Sequence, residues 1–182
     1  DLAQGQDYAD MLASKQGRIL WDHDLAGSLW RERPSRSSEP VYILEEKYTG
    51  KSRQKKLEEL RQYLKAKGGD TILLASLEDI AWLLNLRGND VRHTPVFLAF
   101  ARIDKEKVNL YADSNAFSKE ITTALAEDGV VLKPYMDVYD ELKTLSGGSL
   151  IYDPVKVNYA LSQCVPEDVR FLPSDINEMI PK

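Results

Sequence analysis

The chain has 182 residues, of which 43% are hydrophobic, so it is long enough to form one domain with a buried core and an appendage. Its net charge of −5 argues against nucleic acid as a partner, because nucleic-acid-binding proteins usually carry a basic patch or stripe. No run of about 18 apolar residues occurs, so the sequence predicts no membrane span and no membrane partner.

The first 39 residues differ in character from the rest of the chain. Their apolar side chains are scattered, and a polar linker, "SRSSEP", follows Pro34 with the composition of a loop. Trp21 and Trp30 are large hydrophobic residues that need cover from other parts of a protein. The chain begins with Asp1 rather than Met, so we expect a fragment or a processed product in which residues 1–39 are the end of a preceding domain and a connector.

From Val41 onward, short apolar runs alternate with segments of helical periodicity. Strands are predicted at 41–44, 71–75, 96–103, 108–113, 130–135, 149–153 and 169–173. Helices are predicted at 52–68, 77–84, 118–129, 137–148 and 153–163, with a short helix or turn at 174–182. The helices that recur between strands predict an α/β fold with a mostly parallel sheet, and a hairpin formed by the third and fourth strands makes this sheet mixed.

Local signals support individual helices. Ser76 is a capping residue before one helix, and Asp153 followed by Pro154 predicts the start of another. The basic stretch "KSRQKK", at 51–56, runs into a segment of mixed charge. We interpret it as a solvated helix face rather than a phosphate-binding patch.

The sequence contains no recognisable catalytic motif. The Gly-Gly pairs at 68–69 and 147–148 are placed to end helices rather than to cradle phosphate. His23 and His93 are the two histidines and lie far apart, while Cys164, the single cysteine, is interpreted as a buried small hydrophobic residue. Negative charge near a helix start complements the helix dipole, which explains three carboxylates without catalysis: Asp137, Asp140 and Glu141. We predict no catalytic residue and no metal ligand in this chain.

One polar stretch, "NLRGNDVRHTP" at 85–95, is only partly explained by local structure. Gly, Asn and Asp tolerate the backbone angles of a turn, so Arg87 to Asp90 are interpreted as a helix end followed by a turn. Pro95 forces the preceding residue to be extended and leads into a strand. Arginine is favourable beside a helix C-terminus, but this does not require His93. Loops on a rigid scaffold often carry function, so this stretch is the candidate site.

This stretch also carries a family resemblance. "LEDIAWLLNLRGNDVRHTPVFLAFARI", at 77–103, resembles the middle domain of three-domain aminopeptidase P (Xaa-Pro aminopeptidase) in the creatinase/prolidase family of metallopeptidases. "DLAGSLWRERP" and "YTGKSRQKKLEELRQYL" resemble the linker and first helix of that domain, and "FLPSDINEMIPK" resembles the segment leading to the catalytic domain. The resemblance implies a creatinase N-terminal-domain-like fold for residues 40–182, with a mixed, mostly parallel sheet of about six strands flanked by helices.

The resemblance implies an activity that the chain does not contain. Family members remove an N-terminal residue that precedes proline, using two divalent metal ions, usually manganese, held by Asp, Asp, His, Glu and Glu in a C-terminal catalytic domain. Those motifs do not occur in this sequence. The resemblance therefore implies no cofactor and no activity in this chain alone, and a cytoplasmic location. The implied partners are its own catalytic domain and a peptide with proline second, with a homodimer as a further arrangement.

The resemblance also implies a use for the candidate site. It places Asn85, Arg87, Asp90 and His93 at the mouth of the substrate cleft, near the N-terminal residue of the peptide. Arg87 is the first choice, because a guanidinium holds a carboxylate or carbonyl in a fixed geometry, and His93 is the second. None of them is expected to be a metal ligand or a general base.

Two alternatives to this interpretation remain open. The chain could be a stand-alone module that binds a small ligand or a protein, with a small ligand at the carboxyl ends of its strands. It could instead be a degenerate nuclease, which would need acidic residues clustered on adjacent strands. Asp113 and Asp153, each at a predicted strand end, are the candidates for that cluster.

Overall fold

The computed structural model describes residues 2–13, 15, 17, 20 and 23–174. Its helices are α1 (Leu2–Ala13), α2 (Leu25–Leu29), α3 (Glu46–Thr49), α4 (Arg53–Ala66), α5 (Leu77–Leu84), α6 (Lys119–Glu127), α7 (Asp137–Lys143) and α8 (Tyr159–Ser162). Its strands are β1 (Tyr42–Ile43), β2 (Thr71–Leu74), β3 (Leu86–Arg87), β4 (Ala99–Asp104), β5 (Val108–Ala112), β6 (Val130–Lys133), β7 (Ser149–Tyr152) and β8 (Arg170–Pro173). Among the described residues, no helix is both long enough and apolar enough to cross a membrane.

A six-stranded sheet in the order β6-β5-β4-β2-β7-β8 organises the chain. Strand β4 pairs antiparallel with β2 and with β5, while β5–β6, β2–β7 and β7–β8 are parallel pairs. The sheet is therefore mixed and mostly parallel, and it is flanked by helices, which confirms the predicted fold class. The predicted hairpin between the third and fourth strands is confirmed as β4–β5.

Both faces of the central strands of this sheet are buried, and consecutive side chains of a strand point to opposite faces. In β2, Ile72 and Leu74 belong to one hydrophobic cluster and Leu73 to the other. The first cluster also contains apolar residues of α4, α5 and α6, and the second contains residues of α7 and α8. Continuous apolar strands are what a sheet covered by helices on both faces requires.

A second, two-stranded sheet lies beside α5. Strand β1 pairs antiparallel with β3, with Tyr42 opposite Arg87 and Ile43 opposite Leu86. The turn predicted from Arg87 was therefore wrong at its start, because the chain leaves α5 in an extended conformation before it turns. This short ribbon connects the end of α5 to the segment that precedes α4, and it fixes the direction in which the candidate loop begins.

Three predicted boundaries were also wrong. The helix predicted over 137–148 ends at Lys143, so the glycine pair at 147–148, with φ 60° and 71°, lies in the connection to β7 instead of ending the helix. The helix expected from Asp153 begins at Tyr159, because the Asp153 carboxylate accepts the N–H of Val155 and forms a turn instead, while Asn158 caps α8 by accepting the N–H of Leu161. Strand β4 starts three residues later than the predicted 96, since the candidate loop binds the preceding backbone. Apart from Ser174, the helix or turn predicted at 174–182 lies outside the described residues, as does Trp21, whereas Trp30 is 56% exposed.

Candidate functional site

Asn85 ends α5 and orients the candidate loop. Its backbone has the left-handed values φ 52° and ψ 37°, which asparagine tolerates better than most residues, and its N–H donates to the carbonyls of Ala81 and Trp82. Its side chain is buried: Oδ1 accepts a hydrogen bond from Nζ of Lys56 at 2.6 Å, and Nδ2 donates to the carbonyl of Lys51 at 2.9 Å. In this chain Asn85 holds the start of the loop rather than presenting its side chain to solvent.

Lys56 is the unexpected partner in this arrangement. It is only 1% exposed, although lysine is almost never fully buried without a partner. Its Nζ also donates to the carbonyl of Trp82 at 2.8 Å and lies 4.3 Å from the centre of the Trp82 ring. Burial of the ammonium, followed by repulsion from Arg87, lowers the pKa of Lys56 to about 8.

Arg53, one turn before Lys56 on α4, is buried in the same way. Its Nε donates to the carbonyl of Leu84 at 2.8 Å, and its Nη1 forms an ion pair with Asp128 at 2.7 Å. The interpretation of "KSRQKK" as a solvated helix face was thus wrong for two of its cations. Their positions continue the apolar stripe of α4, so they are carried toward the sheet and satisfied by backbone carbonyls at the end of α5.

Arg87 lies on β3 and is half-buried. Its Nη1 donates to the carbonyls of Ala81 and Leu86, both at 2.8 Å. This contact places positive charge at the C-terminal end of α5, where the helix dipole favours it. Local structure therefore accounts for one nitrogen of the guanidinium, while Nε and Nη2 form no hydrogen bond within the described part of the chain.

Asp90 fastens the middle of the loop to two other segments. Its Oδ1 accepts the N–H of Glu39 in the connector at 2.9 Å, and its Oδ2 accepts the N–H of Leu98 before β4 at 2.8 Å. Gly88 also packs closely, since a Cβ at this position would lie 2.8 Å from Cβ of Phe97. These contacts make the base of the loop rigid.

His93 occupies the tip of the loop. A bridge between Val91 and Thr94 closes a turn around it, and the N–H of Thr94 donates to the carbonyl of Val91 at 3.2 Å. His93 has φ 66°, an uncommon conformation for a residue with a Cβ, and its side chain is exposed. Such conformations persist only where the surrounding structure enforces them. A shallow cavity of about 310 Å³ surrounds this turn, lined by Asn89, Val91, Arg92, His93, Thr94 and Pro95.

The structure thus separates the four predicted site residues. Asn85 and Arg87 lie together at the end of α5, Asp90 supports the loop from below, and His93 projects from its tip. Of these four, His93 alone is exposed. Within the described residues, no hydrogen bond or ion pair joins His93 to the other three.

A second polar cluster, which the sequence did not indicate, lies under α7. Glu141 bonds to Lys133, accepts a hydrogen bond from Oη of Tyr111 at 2.7 Å, and lies 3.3 Å from Nη2 of Arg102. Burial raises the pKa of the Glu141 carboxyl, but the bonds from Lys133 and Tyr111 outweigh it and lower this pKa overall. Glu141 is therefore an internal anchor on the sheet, and its position near a helix start concealed that role.

The described residues do not supply a metal centre. They contain no group of three or more His, Cys, Asp or Glu side chains arranged to hold a metal ion. The nuclease alternative is not supported by the topology either, because Asp113 follows β5 and Asp153 follows β7, and two strands separate β5 from β7 in the sheet. No chemical step can be assigned to these carboxylates.

A mixed, mostly parallel six-stranded sheet with helices on both faces defines the chain as an α/β domain. The family model of the Creatinase/Prolidase N-terminal domain matches residues 32–179, and the chain belongs to this family.

Its relatives are much longer proteins. The chain is 39% identical over 127 residues to a probable Xaa-Pro aminopeptidase P from Sordaria macrospora, and the match covers 69% of this chain and 21% of that protein. It is 40% identical over 125 residues to a protein of the same name from Colletotrichum graminicola, with 68% and 20% covered. The chain thus spans about a fifth of the length of the curated relatives it matches.

One solved structure reproduces the fold over nearly the whole chain. It is the X-prolyl aminopeptidase from Caenorhabditis elegans, described as a cytosolic enzyme with a di-nuclear active site. The TM-score is 0.86 at 23% sequence identity, with 94% of this chain and 29% of that chain covered. At this level of identity the similarity establishes the fold.

Proposed function

We propose that this chain is a non-catalytic domain of a longer metal-dependent aminopeptidase that removes an N-terminal residue preceding proline. Its relatives carry the name Xaa-Pro aminopeptidase P and extend well beyond the matched region. The domain would shape the substrate cleft and support domain and subunit packing. Two divalent metal ions, manganese by our proposal, would bind in the catalytic domain, and the protein would act in the cytoplasm, as the Caenorhabditis elegans enzyme does.

Within this proposal, His93 is the residue that reaches the substrate cleft. The single observation that carries this assignment is its exposed side chain in a left-handed conformation at the tip of a loop fastened by Asp90 and Asn85. A rigid base and an exposed polar tip are what a positioning contact requires, because ordered supports fix the contact in the productive geometry. Arg87 is proposed as a second contact through its remaining guanidinium donors.

The exchange His93→Gly, made in the longer enzyme, separates a functional histidine from a turn residue. Glycine adopts positive φ without cost, so the variant is expected to be as stable as the parent or more stable, by roughly 1 kcal/mol. If the imidazole contacts substrate, kcat/KM for an Xaa-Pro peptide falls by about tenfold, which corresponds to the loss of one hydrogen bond of about 1.4 kcal/mol.

Arg92→Gly in the same turn is the matched control, since it removes an exposed side chain next to His93. Its kcat/KM should stay within about twofold of the parent, because surface changes away from contacts have small effects. Unchanged kinetics for His93→Gly, with increased stability, would reduce His93 to a strained turn residue and refute its assignment to the cleft.

A further inference from the structure

A cavity of about 350 Å³ lies at the carboxyl ends of the parallel strands β5 and β6, away from the tip of the candidate loop. We call it the carboxyl-end cavity. The connector residues 36–38 form one wall, and the residues that follow β5 and β6 form the opposite side. Its volume is within the range of small-molecule sites, and open α/β sheets bind their ligands outside the carboxyl ends of their strands.

The interior of the carboxyl-end cavity is apolar. Phe97 and Phe117 meet edge to face with ring centroids 5.7 Å apart, and Ala112, Ala116 and Leu132 complete the lining. The two alanines leave space where larger side chains would fill it. A ligand that occupies this interior must have an apolar body, because a polar one would lose its hydrogen bonds to water without replacement.

The two carboxylates in the cavity wall, Asp90 and Asp113, already accept hydrogen bonds from backbone N–H groups. Asp90 accepts the N–H groups of Glu39 and Leu98. Asp113 accepts the N–H of Asn115 at 3.0 Å, and this bond is the largest of the effects that lower its pKa. These contacts give both acids a structural role, which weighs against a cationic ligand.

The two cationic side chains in the cavity wall, Lys133 and Arg36, differ in whether a carboxylate pairs with them. Lys133 is bonded to Glu141. Arg36 stacks on the ring of Tyr135 at 4.3 Å and directs Nη1 to the sulfur of Met136 at 3.1 Å, but among the described residues no carboxylate lies within ion-pair distance of it. The positive charge of Arg36 helps to lower the pKa of Asp113, although the two side chains do not form an ion pair. Arg36 therefore has guanidinium donors to offer to a ligand.

The hydroxyl of Ser38, two residues after Arg36, differs from Arg36 in being inaccessible. Oγ of Ser38 is buried and has no hydrogen-bond partner in the described part of the chain, since its approach to Asp113 affects the pKa of that carboxyl without meeting hydrogen-bond geometry. Because this oxygen has almost no accessible surface, we assign it no contact with a ligand.

We propose that the carboxyl-end cavity binds a small carboxylate with an apolar body. The carboxylate is held by Arg36, and the body packs against Phe97 and Phe117. A guanidinium is suited to this task because its parallel N–H groups match the two oxygens of a carboxylate. This site is separate from the cleft contact assigned to His93, and it does not depend on the aminopeptidase proposal.

Four probes with the same three-carbon chain test the proposal on this chain. Three carry a phenyl ring and differ in their polar group: 3-phenylpropionate, 3-phenyl-1-propanol and 3-phenylpropylamine. The fourth, propionate, keeps the carboxylate and lacks the ring. Amide chemical shifts measured during titration report both affinity and location. We expect 3-phenylpropionate to bind at least about tenfold more tightly than the alcohol, because a charge-assisted hydrogen bond distinguishes them. Propionate and the amine should be weaker still. The largest shifts should fall on Leu98, Ala112 and Tyr135, with none on the distant Ala66.

Arg36→Gln tests the anchor, and Arg92→Gln, which removes an exposed arginine elsewhere, is the matched control. The first variant should lose about tenfold affinity for 3-phenylpropionate and none for the alcohol, while the control should change neither. Absence of carboxylate binding up to about 10 mM would overturn the proposal. Tighter binding of the amine would overturn it in favour of a cation site at Asp113. Equal affinity for the acid and the alcohol would also overturn it, because the cavity would then bind apolar groups without recognising a carboxylate.

Discussion

The buried ammonium of Lys56 makes the stability of this chain depend on pH in an unusual direction. Its pKa is about 8 in the folded chain, compared with an ordinary value of 10.5. Between these two values Lys56 binds more protons in the unfolded chain than in the folded chain, so its contribution makes the free energy of unfolding rise as pH rises. The full difference of about 2.5 pH units corresponds to about 3 kcal/mol, most of it caused by burial of the charge.

Part of this effect is accessible before tyrosine side chains ionise. From about pH 7 to about pH 9.5, the linkage relation gives a gain of about 2 kcal/mol. Above that range the pKa of Tyr111, which burial and Glu141 raise, opposes the gain, because the unfolded chain would then lose tyrosine protons first. The window for the measurement therefore closes near pH 9.5, an order-of-magnitude limit set by the ordinary tyrosine pKa of about 10.

Lys56→Met removes the titrating group while keeping a long apolar side chain. Urea unfolding of the parent and the variant at a series of pH values should show the parent gaining about 2 kcal/mol relative to the variant across the window. Lys55→Met is the matched control, because Lys55 is the exposed neighbour on the same helix, and it should follow the parent. Parallel curves for the parent and Lys56→Met would show that the ammonium remains solvated and would refute the assignment.

Three further predictions concern the loop, the internal anchor and the chain as a whole. Gly88→Ala should destabilise the chain by about 1–3 kcal/mol in urea unfolding, because its Cβ would approach Phe97 to 2.8 Å; unchanged stability would show that the loop base is loose. Glu141→Gln should cost about 1–3 kcal/mol by the same measurement, since it leaves the Lys133 and Arg102 charges partly buried; a neutral result would make Glu141 a surface group. The chain alone, incubated with manganese and an Xaa-Pro peptide, should release no N-terminal residue above a buffer blank, and release would contradict its assignment as non-catalytic.

The sheet was predictable because its signals are local and repeated. Apolar runs such as "TILLA" become strands buried on both faces, and Ser76 caps α5 as predicted, by accepting the N–H of Asp79. The start of α8 was mispredicted because Asp153 and Asn158 can both cap a helix, and short-range preference does not distinguish a cap from an isolated turn. That choice depends on how the following segment packs against the sheet.

The candidate site was less predictable, because its charges are satisfied at long range. Lys56 meets Asn85 across 29 positions, and Glu141 of α7 meets Tyr111 of β5 across 30 positions. A signal for Lys56 was nevertheless present: together with Arg53 it shares the helical face of Leu57 and Leu60. Cations on an apolar face predict either a buried partner or an error in the helix register, and here the partner was a capping asparagine.

The buried network changes which residue of the loop is available for function. Arg87 was the first choice from sequence because a guanidinium holds a carboxylate or carbonyl in a fixed geometry, yet one of its nitrogens already donates to two carbonyls at the end of α5. Among the residues that the structure describes, His93 makes no such hydrogen bond, and it has a left-handed conformation at an exposed tip. A strained residue whose side chain makes no hydrogen bond among the described residues is a better candidate for a contact outside the domain. A side chain that already has structural partners, such as Arg87, is a weaker one. The rigid base formed through Lys56, Asn85 and Asp90 would let such a contact act without reordering the loop on binding.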